Sequence, residues 1–330
     1  MMLSRMVPVA LFTAFSLSVA GAYMVEGRKS LSHPAAMSDA QMRALDLYYT
    51  EMKLALQVGD SQRFEELVSV QIEALQTGDI GDIQLDTLPA PYDELRDLLL
   101  TGSVTSARNF LLAHRDLDLN APQGRNGAVP LIWATAHVDA VPSMVKLLLS
   151  QGANPRFRTA RGYSVLHAAA SPFNYYPKAD DMERLLEMLP PELVTSPNRI
   201  GLTPLHLALI NAQSSLAVGL LARGADPDTP PPSDVSLDNM PGLPPLMMAG
   251  GNVDLVQALL ASGADPRATD LAGRRVIDVV TEGALAAERN LQDRLSASAA
   301  EESDRAYAAD YARARDMIRA ALDGRLAAEG

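Results

Sequence analysis

Short apolar blocks with a helical period recur through the middle of the chain, each opened by a glycine and closed by a second glycine ahead of a proline. Four opening segments align: Gly127-Ala-Val-Pro-Leu-Ile-Trp-Ala134, Gly162-Tyr-Ser-Val-Leu-His-Ala-Ala169, Gly201-Leu-Thr-Pro-Leu-His-Leu-Ala208 and Gly242-Leu-Pro-Pro-Leu-Met-Met-Ala249. Three of them lead into a second apolar block and a terminator: Leu147-Leu-Leu-Ser-Gln-Gly152-Ala-Asn-Pro155, Leu220-Leu-Ala-Arg-Gly224-Ala-Asp-Pro227 and Leu259-Leu-Ala-Ser-Gly263-Ala-Asp-Pro266. Leu205 and Ala208 fall three apart, on one face of a helix, and the small alanine lets a partner helix approach. Thr203 is placed to cap that helix, and Pro204 suits its first turn. Gly152, Gly224 and Gly263 stand just past the second helix, where a left-handed residue closes the end and the following proline forbids continuation. The pattern predicts pairs of helices joined by outward turns.

The turn glycines Gly127, Gly162, Gly201, Gly242 and Gly273 stand 35, 39, 41 and 31 residues apart, so the period is irregular and the surplus marks insertions. Ser171 to Lys178 interrupts one unit between its helices, and Pro230 to Pro241 lengthens a turn. Upstream, 51–75 and 91–120 read as degenerate units. Downstream, Gly273 opens a last unit that runs into Ala- and charge-rich residues, the polar cap that the end of an array requires.

The third opening segment contains Thr203-Pro204-Leu205-His206-Leu207-Ala208, and this phrase together with the Gly-Ala-Asn/Asp-Pro terminators resembles the ankyrin repeat family from about Gly124 to Val280. The resemblance implies an all-α ankyrin-repeat solenoid of about five to seven helix-pair units with helical caps at both ends. It also implies a structural role for His167 and His206, which bond to turn backbone and tie neighbouring units together.

Ahead of the repeats, Arg5 supplies a positive start, Met6 to Ala20 is uncharged and mostly apolar, and Ala20-Gly21-Ala22 offers a cleavage site. Residues 1–22 therefore read as a signal peptide; 6–25 as an uncleaved membrane anchor is the other reading, and both place the body across the membrane. A linker follows at 23–37, then degenerate helical repeats at 38–123, ankyrin repeats at 124–281 and a helical cap at 282–330. The expected location is the bacterial periplasm, free or anchored to the inner membrane and facing it.

Only 5% of residues are aromatic against 48% hydrophobic, which suits Ala/Leu-rich helices better than a β-sandwich. A net charge of −12 repels phosphate backbones, so protein is the expected partner and nucleic acid is not. The absence of Cys removes disulfides, thiolate chemistry and Cys-bound zinc. The five His residues show no metal-pair spacing, and no nucleophile-elbow, phosphate-loop or zinc-protease string occurs. Gly59-Asp60-Ser61 sits in a helix-to-helix turn, where its polar side chains cap the next helix. No enzyme activity, cofactor, metal or small-molecule substrate is expected; the chain is read as a module that scaffolds or inhibits a protein partner, with a secreted ankyrin effector as the alternative.

Two sets of residues are candidates for the partner surface. Arg125, Arg161 and Arg199 each lie one or two residues before a turn glycine, with Arg156, Arg158, Arg267, Arg274 and Arg275 nearby, and on an acidic chain they form either a basic rim or ordinary solvated turns. Phe173, Tyr175 and Tyr176 lie in a Pro-bounded loop, as an interface anchor or as a cover for adjacent helices. Trp133, inside a repeat helix, reads as core.

Overall fold

The computed structural model describes residues 88–124, 127–135, 141–170, 179–232, 242–296 and 301–329, together with single positions between 52 and 67. The expected signal peptide or anchor, the linker, most of the degenerate unit at 51–75, the insertion at 171–178 with Phe173, Tyr175 and Tyr176, and Arg125 lie outside these residues. The described residues are helical apart from turns and two isolated antiparallel bridges, Gln123 with Ala128 and Thr269 with Arg275. They fall into two compact units, one ending at Ile200 and one beginning at Gly201.

In the first unit the helices are α1 Tyr92–Thr101, α2 Val104–Ala113, α3 Pro130–Ala134, α4 Val141–Ser150, α5 Val165–Ala169 and α6 Ala179–Met188. They form two rows: α1 packs on α3 and α3 on α5, while α2 packs on α4 and α4 on α6. In the second, α7 Pro204–Ile210, α8 Ser214–Ala222, α9 Pro245–Met248, α10 Val253–Ala261, α11 Val276–Ser296 and α12 Glu302–Glu329 repeat the arrangement, α7, α9 and α11 in one row and α8, α10 and α12 in the other. Each first-row repeat helix puts a leucine in the same slot, and Leu131, Leu166, Leu205 and Leu246 are all at most 1% exposed. Trp133 is buried beside them. An all-α ankyrin fold results, in which each repeat helix is too short to be stable alone and is held by the apolar face it shares with its neighbours.

Local chemistry sets the ends of these helices. The Thr203 side chain accepts a hydrogen bond from the His206 backbone N–H, 3.4 Å, and the Thr203 N–H donates to His206 Nδ1, 3.0 Å, a reciprocal capping box that opens α7. Ser103 and Asn252 cap α2 and α10 in the same sense. Asp60 accepts from Arg63 N–H at 3.2 Å, the capping role expected there. Gly152, Gly224 and Gly263 take φ of +93°, +88° and +97° at the ends of α4, α8 and α10. The last pair departs from the repeat: α11 is 21 residues long and α12 is 28, and α11 runs without a break through positions 281 and 282.

Candidate functional site

The outward turns form an edge along each unit, and asparagine and aspartate build it. After α2, Asn120 accepts a hydrogen bond from Asn154 N–H at 2.7 Å and donates to Gly152 O at 3.1 Å, so one turn is sewn to the next. In the second unit Asp228 accepts from Asp265 N–H at 2.7 Å. Asn154, Asp226 and Asp265 each also accept the backbone N–H two residues on, which fixes the turn that carries them. The edge therefore has its shape before anything touches it.

His206 adds a second stitch. Its Nδ1 accepts from the Thr203 N–H, so Nε2 carries the proton and donates to Thr229 O at 2.8 Å. His167 makes the corresponding contact with Ser164, whose N–H lies 3.2 Å from Nδ1. Burial pushes the His206 pKa below its ordinary value of 6.5, against the smaller upward pull of Thr229 O and Asp226. The native state thus prefers the neutral ring while the unfolded chain takes up a proton first, so the contribution of His206 is complete above 6.5 and declines as pH falls through the lower folded value. The urea midpoint is expected to drop on acidification from pH 7.5 through 6.5 and below. His206→Gln, which keeps an acceptor for the capping box, is expected to flatten that drop; identical pH profiles would refute the assignment.

The arginines of the turns are engaged within the chain. Arg161 Nη2 lies 3.0 Å from Asp60 Oδ1, across 101 residues of sequence. Arg156 Nε pairs with Glu192 at 2.8 Å, and Arg158 Nη1 donates to Gly162 O at 2.8 Å. In the second unit Arg274 holds Asp270 and Arg275 holds Asp278, both at 2.7 Å, and Arg267 stands 3.6 Å from Asp265. Arg199 is exposed, with no ion pair among the described residues, and beside it Ile200 is 51% exposed. The structure brings Arg161 and Arg199 together through the backbone: Arg199 N–H donates to Arg161 O at 3.0 Å. Gly162, at φ +79°, lies under that contact, and a Cβ there would stand 2.8 Å from the Arg199 nitrogen. The local excess of positive charge seen in the sequence is in large part neutralised, by carboxylates two to four residues away for Arg267, Arg274 and Arg275 and by acceptors distant in sequence for Arg156 and Arg161.

Among the described residues no group of three or more His, Cys, Asp or Glu is placed to hold a metal ion, and no helix is long and apolar enough to cross a membrane.

Comparison with known proteins gives the edge a context. The family model described as "Ankyrin repeats (3 copies)" matches residues 131–230, and that described as "Ankyrin repeat" matches 242–271. A protein of Legionella pneumophila, the phosphocholine transferase AnkX, is 32% identical over 139 residues, which are 41% of this chain and 14% of that protein. Among solved structures, the ankyrin repeat domain of Bcl-3 is 22% identical, with a TM-score of 0.43, over 69% of this chain and 92% of its own. An ankyrin repeat domain from Acinetobacter baumannii AYE is 16% identical, with a TM-score of 0.45, over 70% and 98%.

Proposed function

Residues 131–230 and 242–271 of the chain are ankyrin repeats, and from that premise we propose that the protein holds a protein partner along its turn edge, acting by binding and not by catalysis. The observation that carries the reading is the stitching of turns within each unit: Asn120 holds the turn of Asn154 in the first, Asp228 and His206 hold turns in the second, and Arg161 O holds the Arg199 N–H at a tip where Arg199 and Ile200 are exposed. A surface ordered in advance loses little conformational entropy on association, so contacts at the tip count more fully toward affinity. An exposed aliphatic side chain next to a guanidinium that has no ion pair among the described residues suits a partner surface with a carboxylate at the margin of an apolar spot.

The N-terminal segment with Arg5 and its apolar run supports placing this module outside the cytoplasm, in a bacterial envelope, where it scaffolds or inhibits its partner. AnkX is a phosphocholine transferase, and only 14% of its length is matched, so the likeness concerns the repeats and supplies no transferase site here. The second reading is release of the module from the producing cell, which the same N-terminal segment would serve by carrying the chain across the membrane.

One experiment addresses binding and location together. Intact cells are treated with a membrane-impermeant cross-linker, and the natural chain is compared with Arg199→Glu/Ile200→Asp. Capture of a discrete partner from intact cells, with loss of at least about tenfold in the double variant at unchanged helical content, is expected. Capture only after lysis would move the protein inside the cell; recovery of the chain in the medium would favour release; equal capture by the variant would discard the edge.

A further inference from the structure

Where α12 passes the start of α10, the second unit contains a groove of about 550 Å³ that no repeat makes by itself. The turn from Met248 to Asp254 forms one wall, and Tyr307, Asp310, Tyr311 and Arg313 form the other. Tyr311 fills the space left by Gly250, Gly251 and Gly283, and Tyr307 stands edge-on to it with ring centroids 5.1 Å apart at 65°. Tyr307 is thereby supported on one side while 56% of it stays open to solvent. Burial and the hydroxyl of Tyr311 push its phenol up to about 12, so the ring is neutral at physiological pH.

The charges of the groove come from two elements. Asp254 in the first turn of α10 makes no ion pair among the described residues. Asp310 on α12 has Arg313 at 3.8 Å, and the two side chains are 50% and 64% exposed, so that pair holds neither group firmly. Two carboxylates and one guanidinium leave the groove with a negative balance next to an exposed aromatic ring.

We propose that this groove receives an arginine or lysine side chain from a basic segment of a partner protein, with the cationic head between Asp254 and Asp310 and the stem along the ring of Tyr307. A guanidinium is weakly hydrated and planar, so it can face an aromatic ring and fork to a carboxylate at once. The groove is separate from the turn edge, and a failure here leaves the reading of that edge unchanged.

The test uses the full chain with fluorescein-labelled hexaarginine and hexaglutamate, read by fluorescence anisotropy at physiological salt. Hexaarginine is expected to bind and hexaglutamate not. Tyr307→Ala and the pair Asp254→Asn/Asp310→Asn are expected to weaken binding about tenfold, Tyr307→Phe to retain it, and Arg313→Gln to tighten it by removing the resident competitor. Asp293→Asn/Glu302→Gln, which removes two carboxylates of α11 and α12 outside the groove, is expected to change little. Circular dichroism of each variant shows that the fold is kept. No binding of hexaarginine, an equal loss in the outside pair, or no effect of Tyr307→Ala at intact helicity would overturn the proposal.

Discussion

Gly283→Ala is expected to destabilise the second unit by about 1–3 kcal/mol in the natural sequence, and to stabilise it by about 0.5–1 kcal/mol once Tyr311 has been replaced by Ala. Gly283 lies inside α11, where alanine is ordinarily the better helix former because glycine loses more backbone freedom on folding. A Cβ at 283, however, would stand 2.4 Å from Cε1 of Tyr311. The ring cannot retreat, because on its other side a Cβ at Gly251 would already be 2.2 Å from Cδ2. Tyr311 is thus clamped between two positions that have no side chain, and added volume must push α12 away from α10 and α11. Removing the ring removes the clash and leaves the propensity gain. The change of sign is read from urea denaturation of the two single variants and the double variant. Destabilisation by the same amount in both backgrounds would mean that Gly283 is needed for some reason other than this ring.

The repeats were legible because they place the same residue types in the same slots. Leu166, Leu205 and Leu246 are buried alike, and Gly152, Gly224 and Gly263 take the left-handed conformation that their place after an apolar block predicts. Thr203 and His206 were readable as a cap and a stitch because both bonds are made within a short stretch or to the next turn. What the turns do with charge was not readable. Arg156 finds Glu192 36 residues away, and Arg161 finds Asp60 at 101, so nothing in either neighbourhood marks the partner. Arg267, Arg274 and Arg275 have their carboxylates within four residues, whereas for Arg156 and Arg161 only the folded chain shows whether the guanidinium is solvated or paired.

The groove was missed for a related reason. Gly250, Gly251 and Gly283 have no common local pattern, and their meaning comes from Tyr311, which belongs to another helix. Ala-rich and charged sequence correctly signalled a helical end to the array, yet the lengths of α11 and α12 exceed those of the repeat helices because no terminator glycine interrupts them. Gly283 and Gly324 sit within helices instead, with no proline behind them. The ladder of Asn120 and Asp228 had a signal that went unused: a polar side chain at the turn, about one repeat ahead of the amide it meets, 34 and 37 residues on.

Binding by a preformed edge requires that the stitches between turns exist in the free protein. Residue-resolved amide hydrogen exchange tests this on the chain alone, at Asn154 and Asp265, whose N–H groups donate to the side chains of Asn120 and Asp228. Both amides are expected to exchange at least about tenfold more slowly than in an unstructured peptide, the factor equivalent to ~1.4 kcal/mol, and Asn120→Ala should release Asn154 while leaving Asp265 protected. Exchange of both amides at the unstructured rate in the absence of any partner would contradict the account, since the edge would then have to be ordered by whatever binds it.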